Sequence, residues 1–224
     1  MIAAPPVGIV VSPPRIVLAA GETQQLQVVN SGARAAVVTV GTAGYAVSFR
    51  GDPRLLRGGA SLSIRPRTLG IPAGSTAPVT VSSAVKASPG DRTAVVLLTS
   101  RPGGRGIGVR VRIGVLVVLR GTGGLVRRVV PLAVRQRGRR FELLLGNDGN
   151  TVEAVTGSAV RVDLVQRRRV VGRAVAEPRE LLPRSRGVTL LRLRTRATGV
   201  VGARVEVHVG GRVVRRTFLI RLPR

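Results

Sequence analysis

Apolar and polar residues alternate along most of this chain. The clearest case is GIGVRVRIGV, where Ile107, Val109, Val111 and Ile113 fall on one face and Arg110 and Arg112 on the other. Successive side chains of a strand point to opposite faces, so the spacing predicts a half-buried strand with a solvated arginine face. ARVEVHV repeats the pattern, with Val205, Val207 and Val209 inward and Glu206 and His208 outward. Predicted strands cover 7–12, 14–19, 24–30, 35–41, 45–50, 61–65, 77–82, 93–100 and 107–119, then 126–135, 139–146, 158–166, 169–176, 188–194, 203–209 and 212–222. Gly, Pro and Asn turns separate them every 8–12 residues or so, as in a sandwich. No segment sustains a 3.6-residue apolar period, so helices should be few and short.

The two halves of the chain echo one another. QVVNSGARAAVVTV at 27–40 has the same order of parts as LLLGNDGNTVEAVTG at 143–157: an apolar strand, an Asn-x-Gly turn, then another apolar segment. LGIPAGSTAPVTV likewise resembles ELLPRSRGVTLLRL. Asn and Gly tolerate positive φ, and proline pre-sets a turn. The fold expected is all-β, with two immunoglobulin-like β-sandwich domains in tandem, 1–122 and 123–224, joined at GTGG.

Composition agrees with that fold and narrows the chemistry. Of 224 residues 44% are hydrophobic and only 2% aromatic, so Val, Leu, Ile and Ala must fill the cores. Branching at Cβ fits a pleated surface better than a helix. Cysteine is absent, which excludes disulfides, thiolate metal sites and a thiol nucleophile. The longest apolar run, Ile113 to Leu119, is strand length and far short of the ~20 residues that span a bilayer. The start MIAAPPVGIVVSPP lacks the charged head and apolar core of a signal peptide.

Charge raises a different question, because the net value is +27 and every basic residue except Lys86 is arginine. Up to Thr122 there are 14 basic and 3 acidic residues, and after it 23 and 7, so both halves would attract polyanions in a salt-sensitive way. RQRGRR at 135–140 and QRRRVVGR at 166–173 are the densest clusters, and anionic cell-wall polymers would suit them as well as DNA. Nucleic-acid binding is disfavoured, since the arginines are scattered over alternating strand positions and one Tyr with three Phe offers few stacking platforms.

Catalytic and cofactor signals are missing. His208 is the lone histidine and has no Ser or Asp pattern beside it. One His without Cys leaves only carboxylates for a metal, and GNDGN at 146–150 reads as a turn. RPGGRGIG at 101–108 has glycines and arginines but no following helix, so it reads as a hairpin loop, not a phosphate cradle. No enzyme activity, cofactor or metal is expected.

The order SPPRIVL, GETQQLQVVNSG, SIRPRTLGIPAGSTAPVTV, SPGDRTAVVLLTS and GVRVRIGVLVVLRG resembles the N-terminal domain of periplasmic pilus chaperones (PapD-like). The same pattern is similar to Gram-positive surface proteins of the WxL-interacting type. The first resemblance implies an extracytoplasmic, non-enzymatic protein that lends a strand to a pilus or surface subunit, with alternate apolar side chains completing the guest's core. It places Arg15 at the first base of a carboxylate-binding cleft, and Ile107, Val109, Val111 and Ile113 in the donated row. If Arg120 matches the family's arginine at the strand end, the second base falls on Leu116, which binds no carboxylate. Arg112 would take that role only after a two-residue shift, which preserves the face. The second resemblance implies instead a surface or adhesion protein that binds wall polyanions.

Overall fold

The computed structural model describes residues 8–58, 62–84, 89–102, 110–138 and 140–223, and among them every regular element is a strand. The chain divides into two compact units: Met1–Ala46 with Leu55–Gly123, and Val47–Arg54 with Gly124–Arg224.

The first unit is a sandwich. Its strands are β1 (Ile9–Ser12), β2 (Arg15–Leu18), β3 (Thr23–Asn30), β4 (Ala36–Val47), β5 (Pro53–Leu56), β6 (Leu62–Arg65), β7 (Thr68–Ile71), β8 (Thr76–Ser83), β9 (Arg92–Pro102) and β10 (Val111–Leu119). One sheet runs β1-β3-β8-β6, and the other β2-β10-β9-β4-β5, with β7 also beside β4. Period-two patterning sends one set of side chains inward from each sheet. Leu26 and Val28 of β3 and Val79 and Val81 of β8 meet Val38, Val96, Leu98, Val115 and Val117 of the opposing sheet, all buried in one core.

The second unit holds β11 (Val129–Arg137), β12 (Arg140–Asn147), β13 (Glu153–Val155), β14 (Val160–Gln166), β15 (Arg169–Ala176), β16 (Arg179–Leu181), β17 (Arg186–Thr195), β18 (Gly199–Val209) and β19 (Arg212–Leu222). Seven of these pair in the order β11-β12-β17-β15-β14-β18-β19, and β13 pairs with β16. The long sheet splits at β17, which pairs with β12 over 186–191 and with β15 over 191–195. Its inward side chains, among them Phe141, Leu143, Leu145, Leu164, Val205 and Val207, form the second core. Val205, Val207 and Val209 are buried, while His208 is exposed and 3.7 Å from the Glu206 carboxylate, as the alternation predicts.

The echo between the halves has a physical basis that differs from the expected one. Neither Asn-x-Gly segment relies on positive φ. Instead each asparagine is buried and ties strands together through its side chain. Asn30 Nδ2 donates to the carbonyls of Arg34, Ile71 and Pro72 at 2.8, 3.0 and 3.2 Å, and its Oδ1 accepts from Gly32 N at 3.0 Å. Asn147 Nδ2 donates to Thr151, Leu181 and Leu182 carbonyls at 2.7, 3.3 and 3.0 Å, and its Oδ1 accepts from Gly149 N at 3.0 Å. The correspondence equates Gly74 (φ 68°) with Arg184 (φ 52°), so the second unit places an arginine in the left-handed conformation that the first assigns to glycine.

Candidate functional site

β10 is flanked on one side by β9 along its whole length, from Val111 opposite Ser100 to Leu119 opposite Arg92. On the other side β2 runs parallel but reaches only the last four residues, in the register Leu116 to Arg15 through Leu119 to Leu18. Among the described residues, Val111–Val115 therefore have no strand on that side. The bonds at the covered end fix which groups face it: Leu116 N donates to Pro14 O at 3.2 Å and Arg120 N to Leu18 O at 2.7 Å. Main-chain polar groups alternate sides along a strand, so the N–H and C=O of Arg112 and Gly114 point to the uncovered side. An unpaired row of this kind is a template for another strand.

The side chains along the edge divide by face. Val111 and Ile113 are half-buried, on the face that continues into buried Val115, Val117 and Leu119, and Ile113 packs against the core. Arg112 and Gly114 are exposed on the other face, with half-buried Leu116. Arg15, also half-buried, shares that face, because residues paired in register point the same way. Arg15 is thus seated beside Leu116, the position that the resemblance reserves for a second base. Arg112 lies on the same face but four residues further on, about 13 Å at the usual rise of a strand. The structure brings Arg15 to the end of the free edge and leaves Arg112 apart from it. Ile107 and Val109 lie outside the described residues, as do 103–108 of the predicted hairpin loop.

Local contacts hold both ends of this arrangement. Glu22 closes the turn after β2: its Oε2 accepts from Ala19 N at 2.7 Å and its Oε1 from Gln24 Nε2 at 3.2 Å. The backbone hydrogen bond from Ala19, then that from Gln24, holds its carboxyl below the usual glutamate range. At the far end of β10, Arg120 Nε is 3.5 Å from the buried Asp91 carboxylate, which also accepts from Gly121 N at 3.2 Å. Sequence reasoning overlooked Asp91; its signal was the turn SPGD ahead of β9. The arginine clusters of the second unit sit at hairpins, with Arg167 and Arg168 at positive φ in the β14–β15 turn. Among the described residues no group of three or more His, Cys, Asp or Glu side chains could hold a metal ion. Among them, too, no helix is long and apolar enough to cross a membrane.

No family model and no curated protein matches the chain. Solved structures do. The class 5 fimbriae chaperone CfaA is similar over 97% of this chain and 100% of its own, with 10% identity and a TM-score of 0.58. A chain of a chaperone–tip adhesin complex of CFA/I fimbriae biogenesis is similar over 94% of this chain and 98% of its own, with 10% identity and a TM-score of 0.60. A chain of the Salmonella enterica SafA pilin–SafB chaperone complex is similar over 96% of each, with 11% identity and a TM-score of 0.54. The chain has the two-domain β-sandwich fold of the pilus chaperones.

Proposed function

We propose that the protein is a non-enzymatic, extracytoplasmic assembly protein of the pilus-chaperone kind, which holds a partner protein by strand addition along the free side of β10. The observation that carries this reading is the side of Val111–Val115 that no described strand covers, next to the stretch that β2 does cover. A guest strand laid there bonds the main chain of Arg112 and Gly114. It meets an apolar face at Val111 and Ile113, extended in sequence by Val109 and Ile107, and a basic face at Arg112. Arg15 at the edge's end offers a guanidinium fork to a terminal carboxylate. With Leu116 beside it the grip has one base, so apolar and main-chain contacts must supply most of the affinity. Solved neighbours include chaperones in complex with a pilin or a tip-adhesion subunit, which supports a protein partner. Wall-polymer binding draws on net charge alone.

The test uses the proteins encoded beside this one, co-expressed and co-purified with it. Arg112→Pro removes an N–H that faces the uncovered side and leaves the β9 ladder intact, since proline is tolerated where a strand's N–H faces solvent. The variant should fold normally by circular dichroism and lose the complex, as should Val111→Arg. A complex that survives both substitutions would overturn the proposal.

A further inference from the structure

The second unit has an interrupted edge of its own. β17 exchanges β12 for β15 at Leu191, so beyond that residue the side that faced β12 carries no strand among the described residues. Leu190 O accepts from Glu177 N on the β15 side at 2.9 Å. By alternation the main chains of Leu191 and Leu193 point the other way. Phe141 stands opposite Leu191, and no described residue pairs with Leu193 there. A cavity of about 700 Å³ opens at this notch, within the ~300–1,000 Å³ common for binding sites. Buried Phe141, Leu191 and Leu222 supply apolar lining, and Arg140, Arg192 and Arg196 also line it. Glu177 Oε1 takes Nε and Nη2 of Arg192 at 3.0 and 2.9 Å. No carboxylate pairs with Arg140 or Arg196 among the described residues, and both are exposed.

We infer that this notch is a second peptide-binding site, for an extended acidic segment of a partner protein. Three features converge on that ligand class. A strand's main chain asks for alternating donors and acceptors, which a peptide supplies and a simple anion does not. The apolar lining takes an aliphatic side chain on one face of the added segment. Arg140 and Arg196, with no counter-charge among the described residues, take carboxylates flanking it, and guanidinium forks favour that group. The site is independent of the β10 edge.

The experiment is fluorescence anisotropy on the full chain with a labelled Asp-Val-Glu-Val-Asp-Val peptide, the same peptide with lysines for the acids, and a form N-methylated at alternate residues. The acidic peptide should bind, and the lysine and N-methylated forms should not. R140E/R196E should weaken it by tenfold or more, from two lost pairs and added repulsion, while Arg112→Pro leaves it unchanged. Hydrogen exchange at the Leu193 amide should slow on binding. Absence of binding at millimolar peptide, equal binding of the acidic and lysine peptides, or unaltered affinity in R140E/R196E would overturn the inference. So would loss of binding in Arg112→Pro alone, which places the peptide on β10.

Discussion

Replacing Asn30 by aspartate changes one atom and inverts the chemistry of a buried junction. The amide nitrogen faces three carbonyls at 2.8–3.2 Å, and its two hydrogens serve them. A carboxylate offers no donor, so Asn30→Asp loses about two hydrogen bonds at about 1 kcal/mol each and adds about 1–3 kcal/mol for unsatisfied buried groups. The expected loss is about 3–5 kcal/mol, a large part of the ~5–15 kcal/mol that a domain holds. Tyr45 is the only tyrosine and there is no tryptophan, so urea unfolding followed by intrinsic fluorescence reports on the first unit. The carbonyls also raise the folded-state pKa of the carboxyl introduced at position 30 above its unfolded value. Protonation then restores one donor, so the deficit is full above the raised pKa and shrinks as pH falls through it. A variant within about 1 kcal/mol of the parent at neutral pH would refute the account of Asn30 as a strand tie.

Three further outcomes follow from the second unit. Asn147→Asp should repeat the pattern of Asn30→Asp in circular dichroism, because Asn147 makes the same set of bonds. Arg127→Ala removes the charged partner of the buried Glu153 carboxylate, which Arg127 binds through two nitrogens at 2.8 and 2.7 Å, and leaves the Thr151 hydroxyl bonded to it at 2.7 Å. The cost should be about 2–3 kcal/mol, since the arginine is itself half exposed, with most of it regained in Arg127→Ala/Glu153→Gln when measured by urea unfolding. The hydrogen bond from Arg215 is the main reason the Glu206 carboxyl titrates below the usual range. Its contribution to stability is therefore present above the unfolded pKa and lost as pH falls through the folded one. Arg215→Ala should move the carboxyl titration seen by NMR back up.

Much of the fold was legible because its long strands bury one face. β12, β14, β15, β18 and β19 fall within a few residues of their predicted limits, since alternation reports burial directly. β5, β7, β13 and β16 were not predicted. Each has only three or four residues, and β5 is exposed throughout, so no periodicity marks it. The sequence reads as two strands, 35–41 and 45–50, whereas β4 continues through 42–44 against β9. At the candidate site the sequence pointed to Arg15 and to the row ending at Ile113. That β2 stops short of Val115 depends on pairing between segments about a hundred residues apart, which no local pattern encodes. The two asparagines were noticed as turn formers, but their burial was not, because a polar residue inside a core leaves no hydrophobic trace.

The twin asparagine ties bear on how such a chain can drift. Each acts through one side chain, and all its recipients are peptide groups, which any amino acid provides. Selection on a single position therefore preserves the crossing of strands while the residues being tied change freely. A scaffold secured in this way can keep its outline long after almost every letter has been rewritten.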